Sequence, residues 1–180
     1  MERLAQLHRE RDGNLAKLIA ALEERAASQG PDQWSAKLAL AGAHRLDGKP
    51  QEAMRLYREA IEEKPKHPAP RLALAELLQS QGERQAAREQ YEAALPIVAS
   101  IQREQVLRSL VSLCLDLGDF EGAKRHHREL VRQAQGSFYV RAELARELMA
   151  RNDYARAEEE LRGLVQAASG DHRTLLPALR

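Results

Sequence analysis

Aromatic residues make up only 4% of this 180-residue chain, and β-branched residues are sparse as well. A core with so few rings must be built mainly from Leu and Ala. That composition leans toward helix, since Leu, Ala, Arg, Glu and Gln are strong helix formers. Cysteine occurs once, at Cys114, so no internal disulfide can form. A reducing, cytoplasmic setting fits that count. No apolar run approaches the ~18 residues of a membrane-spanning helix. The opening MERLAQLHRERDG is too polar for a signal peptide. Neither sign of charge dominates. The formal net charge is +1 and neither half carries a block of one sign, which gives no pull toward nucleic acid or an anionic membrane. HExxH, CxxC, GxxxxGK and GxGxxG are all missing, and with them the short signs of zinc, redox, phosphate or dinucleotide chemistry.

What the chain does contain is 43% hydrophobic and 31% charged residues, the balance of a folded soluble domain. Arg outnumbers Lys by 22 to 6 alongside abundant Ala, which points to a GC-rich bacterial genome. The chain also repeats itself. DGKPQEAMRLYREAI, from Asp47, returns 34 residues later within SQGERQAAREQYEAAL, so that Gly48, Ala53, Tyr57 and Ala60 fall on Gly82, Ala87, Tyr91 and Ala94. Gly118 continues the series, and Asn152 takes the next place. Asn best replaces Gly where φ is positive. Before the markers lie WSAKLALAGAHRLD, RLALAELLQSQ, VLRSLVSLCLDL and YVRAELARELMAR. After them lie PQEAMRLYREAIEE, RQAAREQYEAAL, FEGAKRHHRELVRQ and YARAEEELRGLVQ. Apolar residues recur in each at three- and four-residue steps, the pattern of an amphipathic helix. KPKHP, PIVAS and QGS break the pairs, and Asp32, Asp119, Ser137 and Asp153 are placed to cap helix starts.

A helix–turn–helix unit of this period resembles the tetratricopeptide repeat. The large/small pairs of the first helices are Leu40–Ala41, Leu74–Ala75, Leu110–Val111 and Leu144–Ala145. The second helices supply Ala53/Tyr57/Ala60, Ala87/Tyr91/Ala94, Ala123/His127/Leu130 and Ala157/Leu161/Leu164. The resemblance implies an all-α fold, a right-handed superhelical α-solenoid of antiparallel helix pairs. The expected divisions are a degenerate repeat over 1–31 with its turn at Gly13, full repeats over 32–67, 68–101, 102–136 and 137–169, and the start of a truncated helix over 170–180. With no polar capping helix at its end, the chain reads as an excerpt of a longer solenoid. Two extra residues between Gly82 and Gly118, near Pro96, mark the place to look for a bend.

Residues that could do chemistry read as packing instead. Cys114 lies on the inward stripe between Leu110 and Leu117, as a small core residue. Neighbours on a helix point about 100° apart, so His126 and His127 do not readily share a metal ion. His127 takes the aromatic packing place of its repeat and His126 is expected in solvent. Glu158, Glu159 and Glu160 read as a solvated face, and Trp34 falls on no motif position. No catalytic, cofactor-binding or metal-binding residue is expected, and no enzyme.

The resemblance implies instead a non-catalytic scaffold that takes a protein or peptide segment in a groove lined by the first helices. The residues that would face it are Arg45, Glu76 and Gln79, then Gln105, Arg108 and Ser112, then Tyr139, Glu143, Arg146 and Met149. The Lys–Asn set with which some members hold a C-terminal carboxylate does not occur, since Leu38, Gly42 and Ala73 occupy such positions. Nucleic acid and membrane are not expected partners. Two alternatives stand beside this reading. One is self-assembly through apolar ends, Leu4 and Leu7 at one and Leu175, Leu176 and Leu179 at the other. The other is a regulatory or sensor segment of a larger enzyme or transcription regulator.

Overall fold

The four repeat markers all adopt left-handed backbone. Gly48, Gly82, Gly118 and Asn152 have φ of 76°, 80°, 76° and 62°. Each ends a first helix in the same way: the next residue's N–H reaches back five residues, as Lys49 does to the His44 carbonyl at 2.9 Å and Asp119 to Cys114 at 2.8 Å. This closure satisfies helix-end carbonyls that would otherwise lack donors. It requires a residue that tolerates positive φ, which is why Gly and Asn stand there.

The computed structural model describes residues 15–28 and 33–175. Two compact units divide the chain, 1–98 and 99–180, at the Pro96–Ser100 break. The first holds α1 (Ala16–Ala27), α2 (Gln33–Leu46), α3 (Pro50–Glu63), α4 (Pro68–Ser80) and α5 (Arg84–Ala94). The second holds α6 (Ser100–Asp116), α7 (Phe120–Gln133), α8 (Phe138–Arg141), α9 (Glu143–Ala150) and α10 (Tyr154–Leu175). Among the described residues there is no strand.

In the first unit each helix packs on the next in sequence, from α1 through α5. Pro50 opens α3 and Pro68 opens α4, positions where a missing N–H costs nothing and φ is already helical. Ala53 and Ala60 are fully buried and flank Tyr57, which is 3% exposed. Ala87, Tyr91 and Ala94 repeat the arrangement in α5. Small residues let the paired helices approach, and the ring fills the space one turn along. Trp34 has a place that the motif reading missed. Its indole N–H donates to the Ala60 carbonyl at 3.1 Å, its ring lies 4.5 Å from that of His67, and the Lys64 ammonium sits 4.5 Å from its centroid. It ties the start of α2 to the end of α3 and to the KPKHP loop.

In the second unit the core joins α6, α7, α9 and α10 through Val111, Cys114, Ala123, Leu144, Leu148 and Ala157. Cys114 is fully buried, as its stripe position predicts. Asp119 caps α7, accepting from Gly122 N at 2.8 Å, and Asp153 accepts from Arg156 N at 3.3 Å at the start of α10. Ser137 makes no such bond, and Asp32 lies outside the described residues. His126 departs from expectation. It is 8% exposed, on the same buried face as Ala123 and Leu130, rather than in solvent. The first helix of the last pair is broken at Ala142 into α8 and α9.

α10 also differs from the sequence reading. No new helix opens at residue 170; α10 runs unbroken to Leu175. The stretch AASGDHRTL lacks a proline, and a single glycine costs a helix only about 1 kcal/mol, too little to force an end. Ala157 is buried, while Leu161 is 39% and Val165 66% exposed, because no further described helix packs on that face. Gly13, Leu4, Leu7, Leu176 and Leu179 fall outside the described residues.

Candidate functional site

The expected groove residues of the first unit gather at the two tyrosines. Arg45 hydrogen-bonds the Tyr57 phenol and Glu76 lies near it. Burial, with Glu76 adding to it, pushes the Tyr57 phenol above its ordinary pKa, and Arg45 pulls the other way. One repeat on, the Tyr91 hydroxyl donates to Gln79 Oε1 at 3.5 Å. The aromatic packing position thus presents its polar tip to the residues of the first helices.

The second unit builds a pocket of about 420 Å3, within the ~300–1,000 Å3 that ligand sites occupy. Each contributing helix offers one face. Arg108 and Val111 on α6 stand three residues apart. So do His127 and Leu130 on α7. Glu143, Arg146, Glu147 and Ala150 share one face of α9, three or four residues apart across each turn. Val111, His127 and Leu130 are buried and form the floor. The charged residues stand at the rim, with the side chains of Arg108 and Arg146 43% and 60% exposed.

The rim charges are largely paired. Arg108 donates to both Glu143 oxygens, Nε to Oε2 at 3.0 Å and Nη2 to Oε1 at 3.3 Å, and Nη1 to Glu104 at 3.3 Å. The fork matches the carboxylate, and hydrogen bonding to Glu143 raises the Arg108 pKa. Arg146 lies 4.0 Å from Glu143 and donates to the Tyr139 carbonyl at 3.3 Å. His127 Nε2 donates to the Val140 carbonyl at 2.7 Å, which fixes its tautomer and secures the turn before the α8–α9 break.

Arg108, Glu143 and Arg146 therefore line one pocket. Gln105, one turn before Arg108, is exposed. Tyr139 and Met149 are 79% and 40% exposed and lie outside the pocket lining. Ser112 is half-buried and engaged. Arg151 Nη2 donates to its hydroxyl at 2.8 Å. Arg151 also binds Asp116 at 2.7 Å and Glu147 at 2.6 Å. Burial lowers the Arg151 pKa, but its hydrogen bonds to Glu147 and Asp116 outweigh that and leave it raised. Sequence reasoning passed over Arg151. A readable signal existed: Arg108–Glu143, Asp116–Arg151 and Lys124–Glu160 are opposite charges one repeat apart, and all three pair between helices.

Two models of the family described as tetratricopeptide repeat match the chain, over residues 4–68 and 44–106. The chain belongs to the tetratricopeptide repeat family, whose members are built as protein-interaction scaffolds and are generally non-catalytic. Similar solved structures include a tetratricopeptide repeat protein from Parabacteroides merdae, at 20% identity and a TM-score of 0.69 over 93% of this chain and 66% of that one. The nearly identical tetratricopeptide-like repeats of a putative kinesin light chain from Podosopora anserina give 21%, 0.66, 95% and 94%. PilF of Pseudomonas aeruginosa gives 20%, 0.62, 91% and 73%. At these identities the likeness is one of fold, the stacked helix pairs of an α-solenoid. The chain spans about two thirds of the Parabacteroides protein's length. No curated protein sequence matches the chain. None of the described helices is long and apolar enough to cross a membrane.

Proposed function

We propose that the chain binds a protein or peptide segment along the face lined by its first helices, without catalysing a reaction. The observation that carries this is the pocket between α6 and α9, where three of the expected residues meet over an apolar floor. Apolar surface supplies affinity, while a few placed charges supply orientation. Gln105 on α6, Tyr139 on α8 and Met149 on α9 stand exposed and would extend the contact. Arg45, Glu76 and Gln79 would serve likewise in the first unit.

The test is amide chemical-shift mapping of the labelled chain titrated with peptides selected against it from random libraries. Shifts should concentrate at Gln105, Arg108, Tyr139, Glu143, Arg146 and Met149. Shifts centred on Glu121, Arg125 and Arg128, which are exposed on α7, would sink the assignment.

A further inference from the structure

The rim of the second-unit pocket holds several charges, but they are not equivalent. Arg108 is occupied three times over, twice by Glu143 and once by Glu104. Glu147 is held by Arg151 Nη1 at 2.6 Å. Glu143 has both oxygens committed to Arg108. Arg146 stands apart. Its guanidinium is 4.0 Å from Glu143 and its hydrogen bond is to a backbone carbonyl, with the side chain 60% exposed. A charge paired that loosely loses little when a better acceptor arrives. Beneath it lies the floor of Val111 and Leu130, and beside it the wall made by Ala150.

We infer that, if the groove function proposed above holds, this pocket takes one large apolar side chain of a bound polypeptide while Arg146 takes the carboxylate of a neighbouring Asp or Glu. Arg108 is then a positioning residue. It fixes Glu143 and the spacing of α6 and α9, and does not touch the ligand. Charge complementarity sets the acidic group at a single carboxylate. Glu104, Glu143 and Glu147 surround the rim, so a doubly charged phosphate meets repulsion there. The acid belongs within the chain rather than at its end. Phe138 and Tyr139, 66% and 79% exposed and in edge contact at 6.3 Å between ring centroids, are tied to Arg146 through the Tyr139 carbonyl, to which it donates. A polypeptide continuing past its acidic residue covers those rings, and a chain that stops there does not.

The experiment selects binders of the whole chain from two random-peptide libraries, one displayed without a free C-terminus and one with it. The first library should enrich peptides carrying a large apolar residue close to an Asp or Glu. For the best synthetic peptide, Ala150→Phe, which fills the pocket mouth, and Arg146→Glu should each weaken binding by ~10-fold or more in titration calorimetry. Changing the peptide's acid to Lys should restore affinity for Arg146→Glu. It should not restore affinity for Arg108→Glu, which acts through the fold. Far-ultraviolet circular dichroism of Arg146→Glu and Ala150→Phe checks that both remain helical. Three results overturn the inference while leaving groove binding intact: enriched peptides that shift the groove amides but lack the acid or the apolar residue, enrichment confined to the free-C-terminus library, or unchanged affinity in Arg146→Glu. Failure to enrich from either library overturns both.

Discussion

A single phenol shows how packing sets chemistry in this chain. Tyr57 is 3% exposed, and its pKa lies above the ordinary 10.0 because burial disfavours the phenolate. The sign for stability follows. Above the ordinary value the unfolded chain releases a proton that the folded chain still keeps, so stability falls as pH rises through that window. The contribution is complete below about pH 10 and lost above the raised native value. Tyr57→Phe removes the titrating group and the bond to Arg45. At neutral pH that should cost about 0.5–1.5 kcal/mol. In urea melts repeated from about pH 8 to about pH 11, the substituted chain should show a shallower alkaline decline than the parent. Equal slopes would mean that Tyr57 does not govern the alkaline limb.

At the scale of the element, each helix start and stop has its own local cause, and α7 gives the sharpest case. Asp119 holds Gly122 N at 2.8 Å. A Cβ added at Gly122 would lie 2.3 Å from Asp119 Oδ2, so the glycine is what lets the cap close. Asp119→Ala should cost about 0.5–2 kcal/mol. Gly122→Ala in the parent should destabilise by displacing the cap. In the Asp119→Ala background the same change should stabilise, since Ala is ~1 kcal/mol better than Gly within a helix. A double-mutant cycle by urea unfolding reads that reversal of sign; additive effects would reject the coupling. Elements of this kind were legible in the sequence. The turn markers, the alanines at the crossings and the two aspartate caps follow from period and residue type alone. Side chains that reach between helices were not. Trp34 sits outside the motif yet joins α2 to the Ala60 carbonyl, and His126, expected in solvent, occupies a buried face. Arg108 reads as a groove cation, but its partners on α6 and α9 make it a strut. Pairings of this sort depend on which helix lies opposite, and the one-repeat spacing of the charges shows them only once the stacking is known. The run of α10 through Gly170 escaped for a different reason: a lone glycine is too weak a break to end a helix.

For the molecule as a whole, helices that pack chiefly on their sequence neighbours imply stability that is a sum of local terms. In the first unit α1 packs on α2, α2 on α3, α3 on α4 and α4 on α5. A defect at one crossing should therefore be felt by that pair and its neighbour, and should fade along the stack. Ala87 is the place to introduce one. It is fully buried on α5, at a position its repeat keeps small. Ala87→Leu adds three heavy atoms where the helices meet, and overpacking of that kind costs about 1–3 kcal/mol. Native-state hydrogen exchange should then show amides of α4 and α5 losing most protection and those of α3 losing less. Amides of α1 and α2 should keep theirs. A molecule with one all-or-none core would instead lose protection equally from α1 through α5, because every helix would open in the same event. The two outcomes differ in pattern rather than in size, so the test holds even if the substitution proves milder than expected. The graded pattern would also bear on binding. A stack that loosens locally lets one pair of first helices adjust to a ligand without unfolding the next, and it places the site's plasticity at the crossing nearest the contact.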